Sequence, residues 1–278
     1  MKTSTDLLAQ RSHFEFGKNW ASYAKLITDN EIDSAASELE RLLGGRLDGK
    51  RFLDIGCGSG LHSLAALRLG ASEVLATDID PDSVETTRVV LSAHAPDGPW
   101  ECLNVSVFDL DAKALGGFDV VYSWGVLHHT GDLYRALAAA SGMVCSGGQF
   151  AFALYRKTLF CWFWKIEKRW YMRASPKAQN VARRAYSAVF RSLSYLLLFR
   201  SHRKYLEKYR AQRGMDYYHD IHDWLGGWPY ESISPRQVNR LMLVRGFEPI
   251  RSFGPRFMLG ALGSACDEYL YSRLKETT

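Results

Sequence analysis

The sequence predicts an α/β protein whose mostly parallel sheet is interrupted late in the chain by a helical insertion. Between residues 51 and 155, short apolar runs alternate with stretches of helical periodicity, the pattern of parallel strands joined by helices. A glycine-rich turn joins the first apolar run to the first helix of this series. Residues 156–233 contain no alternating strand pattern, and helical patterns appear in them at about 159–172, 176–200 and 202–213. The strand–helix alternation returns after them. We therefore expect one α/β core that carries a helical insertion.

The glycine turn follows the first predicted strand, Phe52–Ile55, and reads GCGSG over residues 56–60. Glycine adopts positive φ readily and lets a ligand lie against bare backbone. A helical pattern covers residues 61–69 and stops at a glycine. A second strand, Val74–Thr77, then ends at Asp78. A strand, a glycine turn, a helix and a strand that ends in a carboxylate form half of a nucleotide-binding unit.

The glycine spacing and one carboxylate indicate which nucleotide suits this turn. The third glycine comes one position too early for the dinucleotide fingerprint, and Leu61 occupies the fingerprint position. Asp54, at the end of the first strand, would repel a pyrophosphate. S-adenosylmethionine (SAM) has no phosphate and carries a positive sulfonium and ammonium, so it fits better. Asp78 is placed to accept hydrogen bonds from both ribose hydroxyls.

At these residues the sequence resembles the class I SAM-dependent methyltransferases, and most closely the small-molecule branch that includes the ubiquinone and menaquinone methylases. The segments that carry the resemblance are Leu53–Gly60, Asp78–Asp80 and Val126–His129. It covers roughly residues 50–152. The resemblance implies SAM as the cofactor and a Rossmann-like sheet of seven strands, mostly parallel, with the last strand antiparallel.

The remaining strands of such a sheet can be placed in order along the chain. After Asp80, which can cap a helix that begins at Pro81, the apolar runs predict five further strands. They are expected at Glu101–Val105, Phe118–Ser123, Gln149–Tyr155, Phe247–Phe253 and Asp267–Leu274. Helices are expected between them, at residues 133–143 and 235–245.

The resemblance also implies a set of cofactor contacts. It assigns Ser106 and the backbone of Val107 to the adenine edge, and Ile79 to one adenine face; both apolar residues could instead be plain core. N-terminal helices in this family commonly form a lid, so Trp20 either covers the cofactor or packs a helix on the sheet. The expected contacts are Asp54, Gly56, Gly58, Gly60, Asp78, Ile79, Ser106, Val107, Trp124 and Trp20.

Two clusters offer catalytic groups. His128 and His129 follow the fourth strand, and either could be a general base or a structural histidine. The second cluster lies in residues 213–231, predicted as a loop rich in polar and aromatic side chains, with His219, His222 and Asp223. This loop could recognise the substrate with a His–Asp base, dock the insertion on the sheet, or hold a metal. The metal hypothesis is the weakest because two histidines at i and i+3 supply only two ligands, so no metal is expected.

The insertion is strongly basic and follows strand five. Residues 156–213 hold 16 Lys or Arg and two acids, a net +14 in a chain of net +5, so the remainder carries −9. Ligands of open α/β sheets bind at the carboxyl ends of the strands, so the insertion should cap the active site. Its interleaved aromatic and basic residues fit an anionic membrane surface, or a carrier protein or other anionic substrate. A solvated helical cap is the alternative, and nucleic acid is disfavoured.

These patterns predict four segments and one leading function. The segments are an N-terminal helical lid (1–45), a SAM-binding core (46–155), a basic aromatic cap (156–233) and the completion of the sheet (234–278). The leading function is methyl transfer from SAM to O or N of a small, lipophilic or natural-product-like acceptor. The alternatives are an enzyme that cyclises SAM itself and releases methylthioadenosine, and a non-catalytic SAM-binding membrane adapter.

The compartment is also predicted from the sequence. There is no evident signal peptide, no apolar run long enough for a bilayer, and no paired spacing among the five cysteines. We expect a cytoplasmic protein, with peripheral membrane contact left open.

Overall fold

The computed structural model describes residues 16–24, 27–198, 217–254 and 266–275. The described α-helices are α1 (Phe16–Ala24), α2 (Asp29–Leu43), α3 (Leu61–Arg68), α4 (Pro81–His94), α5 (Ala112–Leu115), α6 (Leu133–Gly142), α7 (Cys161–Arg173), α8 (Pro176–Leu198), α9 (Tyr217–Gly226) and α10 (Pro235–Val244). The strands are β1 (Arg51–Ile55), β2 (Glu73–Asp78), β3 (Trp100–Asn104), β4 (Phe118–Trp124), β5 (Val144–Tyr155), β6 (Phe247–Phe253) and β7 (Cys266–Arg273).

All seven strands form one sheet, in the order β3-β2-β1-β4-β5-β7-β6. The first five pair in parallel, whereas β7 runs antiparallel to both β5 and β6. This arrangement confirms the predicted seven-stranded, Rossmann-like sheet with an antiparallel last strand. Because β2 and β4 lie on opposite sides of β1, the chain changes its winding direction there. The carboxyl ends of β1 and β4 therefore border the crevice in which open α/β sheets bind ligands.

Helices cover both faces of the sheet, and the central strands are largely buried as a result. Residues 52–55 of β1 are all buried, which accounts for their apolar run around one carboxylate. On one face, Ile32 of α2 and Leu64 of α3 pack in a cluster with Phe52. On the other face, Leu137 of α6 and Met242 of α10 belong to a second cluster. The alternation of β1 side chains thus anchors two helical layers.

The insertion begins and ends at one point beside β5. The Ile233 N–H donates to the Tyr155 carbonyl at 3.1 Å, and the Lys157 N–H donates to the Ile233 carbonyl at 3.0 Å. Between these positions, α7, α8 and α9 form a helical unit with a small apolar cluster of its own: Tyr171, Ile221 and Leu225. We call the described residues of this unit, 156–198 and 217–233, the cap.

The prediction of a loop over residues 213–231 was wrong, because Tyr217–Gly226 is the helix α9. The physical reason is that Ile221 and Leu225, four residues apart, lie on one helical face and bury against Tyr171. Among the described residues of this stretch, those after Gly226 are irregular. Residues 1–15, with the first third of the predicted lid, lie outside the described residues. None of the described helices is long and apolar enough to cross a bilayer.

Candidate functional site

The glycine bend between β1 and α3 has a backbone that only glycine adopts easily. Gly56, Gly58 and Gly60 have φ values of 80°, 54° and 78°. A side chain at Gly56 would overlap the methyl groups of Val126, so the turn after β4 lies directly against the bend. A side chain at Gly58 would meet the Trp20 ring at 3.1 Å. The bend is therefore bounded by the β4 turn and by α1.

Asp54, at the end of β1, is buried beneath this bend. Its carboxylate accepts a hydrogen bond from the Ser63 hydroxyl at 2.7 Å, and the residue is only 2% exposed. Burial raises the pKa of Asp54 to about 7, against the lowering effect of the Ser63 hydrogen bond. A cation bound nearby would favour its ionised form.

Asp78, at the end of β2, holds the bend and the start of α4 together. One carboxylate oxygen accepts the Gly58 N–H at 3.2 Å, and the other accepts the Asp80 N–H at 2.9 Å. Loss of water raises the pKa of Asp78 to about 6, whereas these backbone hydrogen bonds lower it. The side chain is half-buried, so it faces both the protein and the crevice.

The predicted adenine side lies at the end of β3. Ser106 is buried, and its Oγ accepts the Phe108 N–H at 3.3 Å. The Val107 side chain belongs to the core cluster, so only its backbone can face a ligand. Sequence reasoning missed Asn104, whose amide donates to the carbonyls of Asp78 and Ile79, both at 2.9 Å. A polar residue at the last position of a parallel strand was the signal that could have found it.

Trp124, the last residue of β4, points into a separate cleft. Its Nε1–H donates to Glu268 of β7 at 3.0 Å. The cleft is lined by Glu38, Leu39, Leu42, His62, Tyr122, Trp124 and Glu268. Burial lowers the pKa of His62 to about 4, so its ring is neutral at pH 7. Trp124 thus lies on the α2 side of the sheet.

The two histidines after β4 have different environments. His129 Nδ1 lies 2.7 Å from the Pro229 carbonyl, which joins the β4 turn to the end of the cap. His128 is fully buried, and its Nδ1 accepts the Tyr155 N–H at 3.4 Å. None of the described residues gives His128 Nε2 a hydrogen-bond partner. Burial, with His129 and Lys168 nearby, holds the pKa of His128 well below its usual range.

Of the second predicted cluster, which is His219, His222 and Asp223, the structure describes the side chain of His222. The His222 ring nitrogen lies 2.8 Å from the Tyr171 hydroxyl, inside the cap. The side chains of His219 and Asp223 lie outside the described residues. The described part of the chain holds no group of His, Cys, Asp or Glu arranged to bind a metal ion. His222 is therefore brought together with Tyr171 of the cap.

Sequence reasoning missed a buried lysine between the cap and the end of β5. Lys168 is fully buried, and its ammonium donates to the Trp224 carbonyl. Its Nζ lies 3.8 Å from the Trp224 ring centroid, 5.6 Å from that of Tyr230 and 5.8 Å from that of Tyr155. Burial lowers the pKa of Lys168, against the opposing effect of Glu167. Its position one turn from Trp164 and Tyr171, on the inner helical face, was the available signal.

We call the region formed by His128, Tyr155, Lys168, Trp224 and Tyr230 the cap junction. Several buried polar atoms here have no hydrogen-bond partner among the described residues. Tyr155 links its two sides, because its ring lies 3.8 Å from His128 and 5.1 Å from Trp224. Among the described residues, no hydrogen-bond partner reaches His128 Nε2, the Trp224 Nε1–H, either Glu167 carboxylate oxygen, or one Glu231 oxygen. Such groups are rare in folded proteins and call for an explanation.

Comparisons with known proteins locate a family in this core. Residues 53–150 match the family model described as "Methyltransferase domain". A tRNA U34 carboxymethyltransferase from Alcanivorax borkumensis is 38% identical over 104 residues, 37% of this chain and 31% of that protein. A ubiquinone biosynthesis O-methyltransferase from Brucella ovis is 34% identical over 113 residues, 41% of this chain and 44% of that protein. The chain thus spans less than half the length of these relatives.

The fold agrees with this family. The solved structure of magnesium protoporphyrin IX methyltransferase from Synechocystis PCC 6803 with bound SAH superposes with a TM-score of 0.52 at 15% identity, over 87% of this chain and 81% of that one. At this identity the likeness concerns the fold alone. The matched domain spans the glycine bend, Asp78 and the turn after β4. Residues 53–150 therefore match a methyltransferase domain, and the fold around them is like that of a solved methyltransferase.

Proposed function

We propose that this protein transfers a methyl group from SAM to an oxygen or nitrogen atom of a small, lipophilic acceptor. The observation that carries the proposal is the methyltransferase match over residues 53–150, which includes the whole glycine bend. The names of the relatives describe carboxymethyl transfer to tRNA and O-methylation in ubiquinone biosynthesis. The small-molecule assignment is supported by the apolar, aromatic lining of the cap junction.

The glycine bend fits SAM in its chemistry. When bound, SAM supplies a methyl group that its sulfonium has already activated. Asp78 is proposed to accept the ribose hydroxyls, because each carboxylate oxygen has a second acceptor position beside its backbone bond. Glycine at positions 56, 58 and 60 allows the positive φ values that shape the bend.

The remaining cofactor contacts are proposed from the positions of these residues around the glycine bend. Asp54 favours the cationic end electrostatically from beneath the bend. Ile79 and the backbone of Val107 would flank the adenine, with Ser106 at its edge. The ring of Trp20, which lies against Gly58, is proposed to cover the cofactor as part of an N-terminal lid. Trp124 contributes least, because its indole already binds Glu268.

The acceptor is proposed to bind at the cap junction, because buried donors there lack partners. His128 Nδ1 accepts the Tyr155 N–H, so in the neutral ring Nε2 carries the hydrogen. That tautomer makes His128 a hydrogen-bond donor to an acceptor oxygen and a poor base. The indole N–H of Trp224 is a second donor without a described partner. The junction is thus suited to an oxygen-bearing group.

Lys168 is proposed as the group that receives a proton from a hydroxyl acceptor. Burial favours its neutral amine, and a neutral amine can accept a proton. Tyr155, Trp224 and Tyr230 surround its Nζ and exclude water. His129 and His222 are proposed to act structurally, since they bind Pro229 and Tyr171 respectively. The predicted catalytic roles of His219 and Asp223 stay predictions.

The test follows the label from tritium-methyl SAM. Purified protein is incubated with labelled SAM and a total cell extract, which is then separated into organic-soluble, RNA and protein fractions. We expect label in the organic-soluble fraction and S-adenosylhomocysteine as the coproduct. Label in RNA would contradict the acceptor class, and methylthioadenosine would identify SAM itself as the substrate.

Matched variants sharpen this test. Lys168→Met should abolish transfer to a hydroxyl acceptor while SAM affinity, measured by calorimetry, stays within about twofold. Lys177→Met, at an exposed position of α8, serves as the control and should retain turnover. Equal turnover of both variants would show that Lys168 does not receive the proton.

A further inference from the structure

The side of α7 that faces away from the cap interior is apolar and exposed. Trp162, Phe163, Ile166 and Trp170 are 65%, 47%, 63% and 51% exposed. Leu159 and Phe160, just before the helix, are also exposed. We call this surface, residues 159, 160, 162, 163, 166 and 170, the outer face of α7. A contiguous patch of large apolar side chains on a folded protein marks an interaction site.

The outer face of α7 does not belong to the apolar interior of the cap. The opposite side of α7 already packs inward, because Tyr171 belongs to the cap cluster and Trp164 lies 5.2 Å from the Trp224 ring. Since α7 is apolar on both sides, stability of the cap explains only one of them. Packing within the described part of the cap does not account for the other side.

A stripe of positive charge borders the outer face. Lys165, Arg169 and Arg173 are exposed and lie four residues apart, so they follow one another along the helix. The acid of this helix, Glu167, has both carboxylate oxygens buried, so it does not neutralise the stripe at the surface. Residues 156–213 together carry a net charge of +14.

We propose that the outer face of α7 docks on an anionic lipid bilayer. Tryptophan and phenylalanine are the side chains that favour the membrane interface, and lysine and arginine beside them attract acidic headgroups. Leu159 and Ile166 have no polar or stacking function and are suited to the acyl boundary. A second copy of this chain is a poor occupant, since like-charged stripes would meet.

Docking at this face would place the bilayer beside the substrate side of the fold. The helix α7 starts six residues after Tyr155, the last residue of β5, and Lys168 on its inner side reaches the cap junction. A lipophilic acceptor dissolved in the membrane would then lie near the proposed site. This consequence rests on the proposed function, whereas the docking itself does not.

Vesicle co-sedimentation tests the docking without SAM or an acceptor. The full-length protein is mixed with vesicles of phosphatidylcholine alone, or of equimolar phosphatidylcholine and phosphatidylglycerol. We expect binding to the anionic vesicles at least tenfold tighter than to the neutral ones, with a blue shift of tryptophan emission and weaker binding at high salt. Absence of binding to anionic vesicles would overturn the proposal, whatever the outcome for methyl transfer.

Two pairs of variants separate the apolar and charged contributions. Trp162→Ala with Trp170→Ala should weaken binding to anionic vesicles tenfold or more, whereas Leu243→Ala with Val244→Ala, exposed on α10, should not. Lys165→Gln with Arg173→Gln should weaken it about thirtyfold, whereas Arg240→Gln with Arg245→Gln should leave it within threefold. Unchanged binding in both outer-face variants would overturn the proposal.

Folding and self-association are checked on the same samples. Thermal unfolding and SAM affinity should match the wild type in all four variants, because the altered side chains are exposed. If the wild type binds no vesicles but forms dimers that Trp162→Ala with Trp170→Ala abolishes, the outer face is an interface between copies and the membrane proposal is overturned.

Discussion

The glycine bend and the cap junction differ in whether their buried polar groups have hydrogen-bond partners among the described residues. In the bend, Asp54 binds the Ser63 hydroxyl, and Asp78 binds two backbone N–H groups. In the cap junction, His128 Nε2 and the Trp224 Nε1–H lack a partner among the described residues. The bend is complete before any ligand arrives, whereas the junction leaves hydrogen-bonding capacity for a ligand to use.

The difference has an energetic meaning. A buried polar group without a partner costs about 1–3 kcal/mol, so several of them in one place lower stability. A fold retains such groups where a ligand or chemistry uses them. We infer that the proposed cofactor site is preorganised and that the buried polar groups of the proposed acceptor site gain partners on binding.

The largest expected effect tests how rigid the bend is. Gly56→Ala should lower the free energy of unfolding by about 3–5 kcal/mol and abolish SAM binding, because a methyl group there is strained at positive φ and overlaps Val126. Gly125→Ala is the matched control: its φ is 77°, but open space surrounds it, so it should cost about 1–2 kcal/mol. Urea unfolding and calorimetry measure both quantities, and equal losses would show that the bend tolerates a side chain.

The next effect concerns the buried carboxyl of Asp54. Its pKa is raised from 3.8 to about 7 in the folded protein, so the folded state binds the proton more tightly. Stability should therefore fall as pH rises from 4 through 7. Asp54→Asn removes this loss and should be about 2–4 kcal/mol more stable than the wild type at pH 8, and about equal at pH 4.

Urea unfolding at the two pH values measures this difference. Asp82→Asn, at an exposed position of α4, is the control and should shift stability by less than about 0.5 kcal/mol at either pH. Other titrating groups, such as His62, contribute equally to all three proteins and cancel. If the wild type is as stable as Asp54→Asn at pH 8, ionising Asp54 in the folded protein costs no stability, which would contradict the raised pKa.

A smaller effect is expected at the ribose position. Asp78→Asn keeps an acceptor for one backbone N–H but loses the charge, so SAM affinity should fall about tenfold, roughly 1.4 kcal/mol. Isothermal titration with SAM measures this, and Asp97→Asn in the exposed turn before β3 is the control. Unchanged affinity in Asp78→Asn would place the ribose elsewhere.

The smallest effect is expected at the cap junction and concerns stability alone. Lys168→Met replaces a buried amine, whose pKa is lowered by burial, with an apolar chain of similar length, so the free energy of unfolding should change by less than about 1 kcal/mol or rise. A loss above about 3 kcal/mol would show that Lys168 is a structural ion like those of the bend, and the contrast between the two regions would disappear. Lys177→Met is again the exposed control.

Local patterns in the sequence were sufficient for the strands and the glycine bend. The apolar runs located every strand to within a few residues, except that β5 begins at Val144 and is longer than predicted. The glycine turn, Asp78 and the Asp80 cap are set by neighbouring residues, and Asp80 does accept the Asp82 N–H at 3.0 Å. Backbone conformation and strand burial depend on short stretches of chain, so a sequence reveals them.

Only the tertiary structure decided the cap junction. The polar stretch 213–231 was predicted as a loop, because nothing local showed that Ile221 and Leu225 would bury against Tyr171 across 50 residues of chain. Lys168 lies one turn from Trp164 and Tyr171, but the sequence does not show which side of α7 other parts of the chain cover. Whether a lysine is buried depends on which distant side chains cover it, and here Trp224 and Tyr230 do so. Long-range packing, which a single sequence does not display, therefore selected the residues proposed to meet the acceptor.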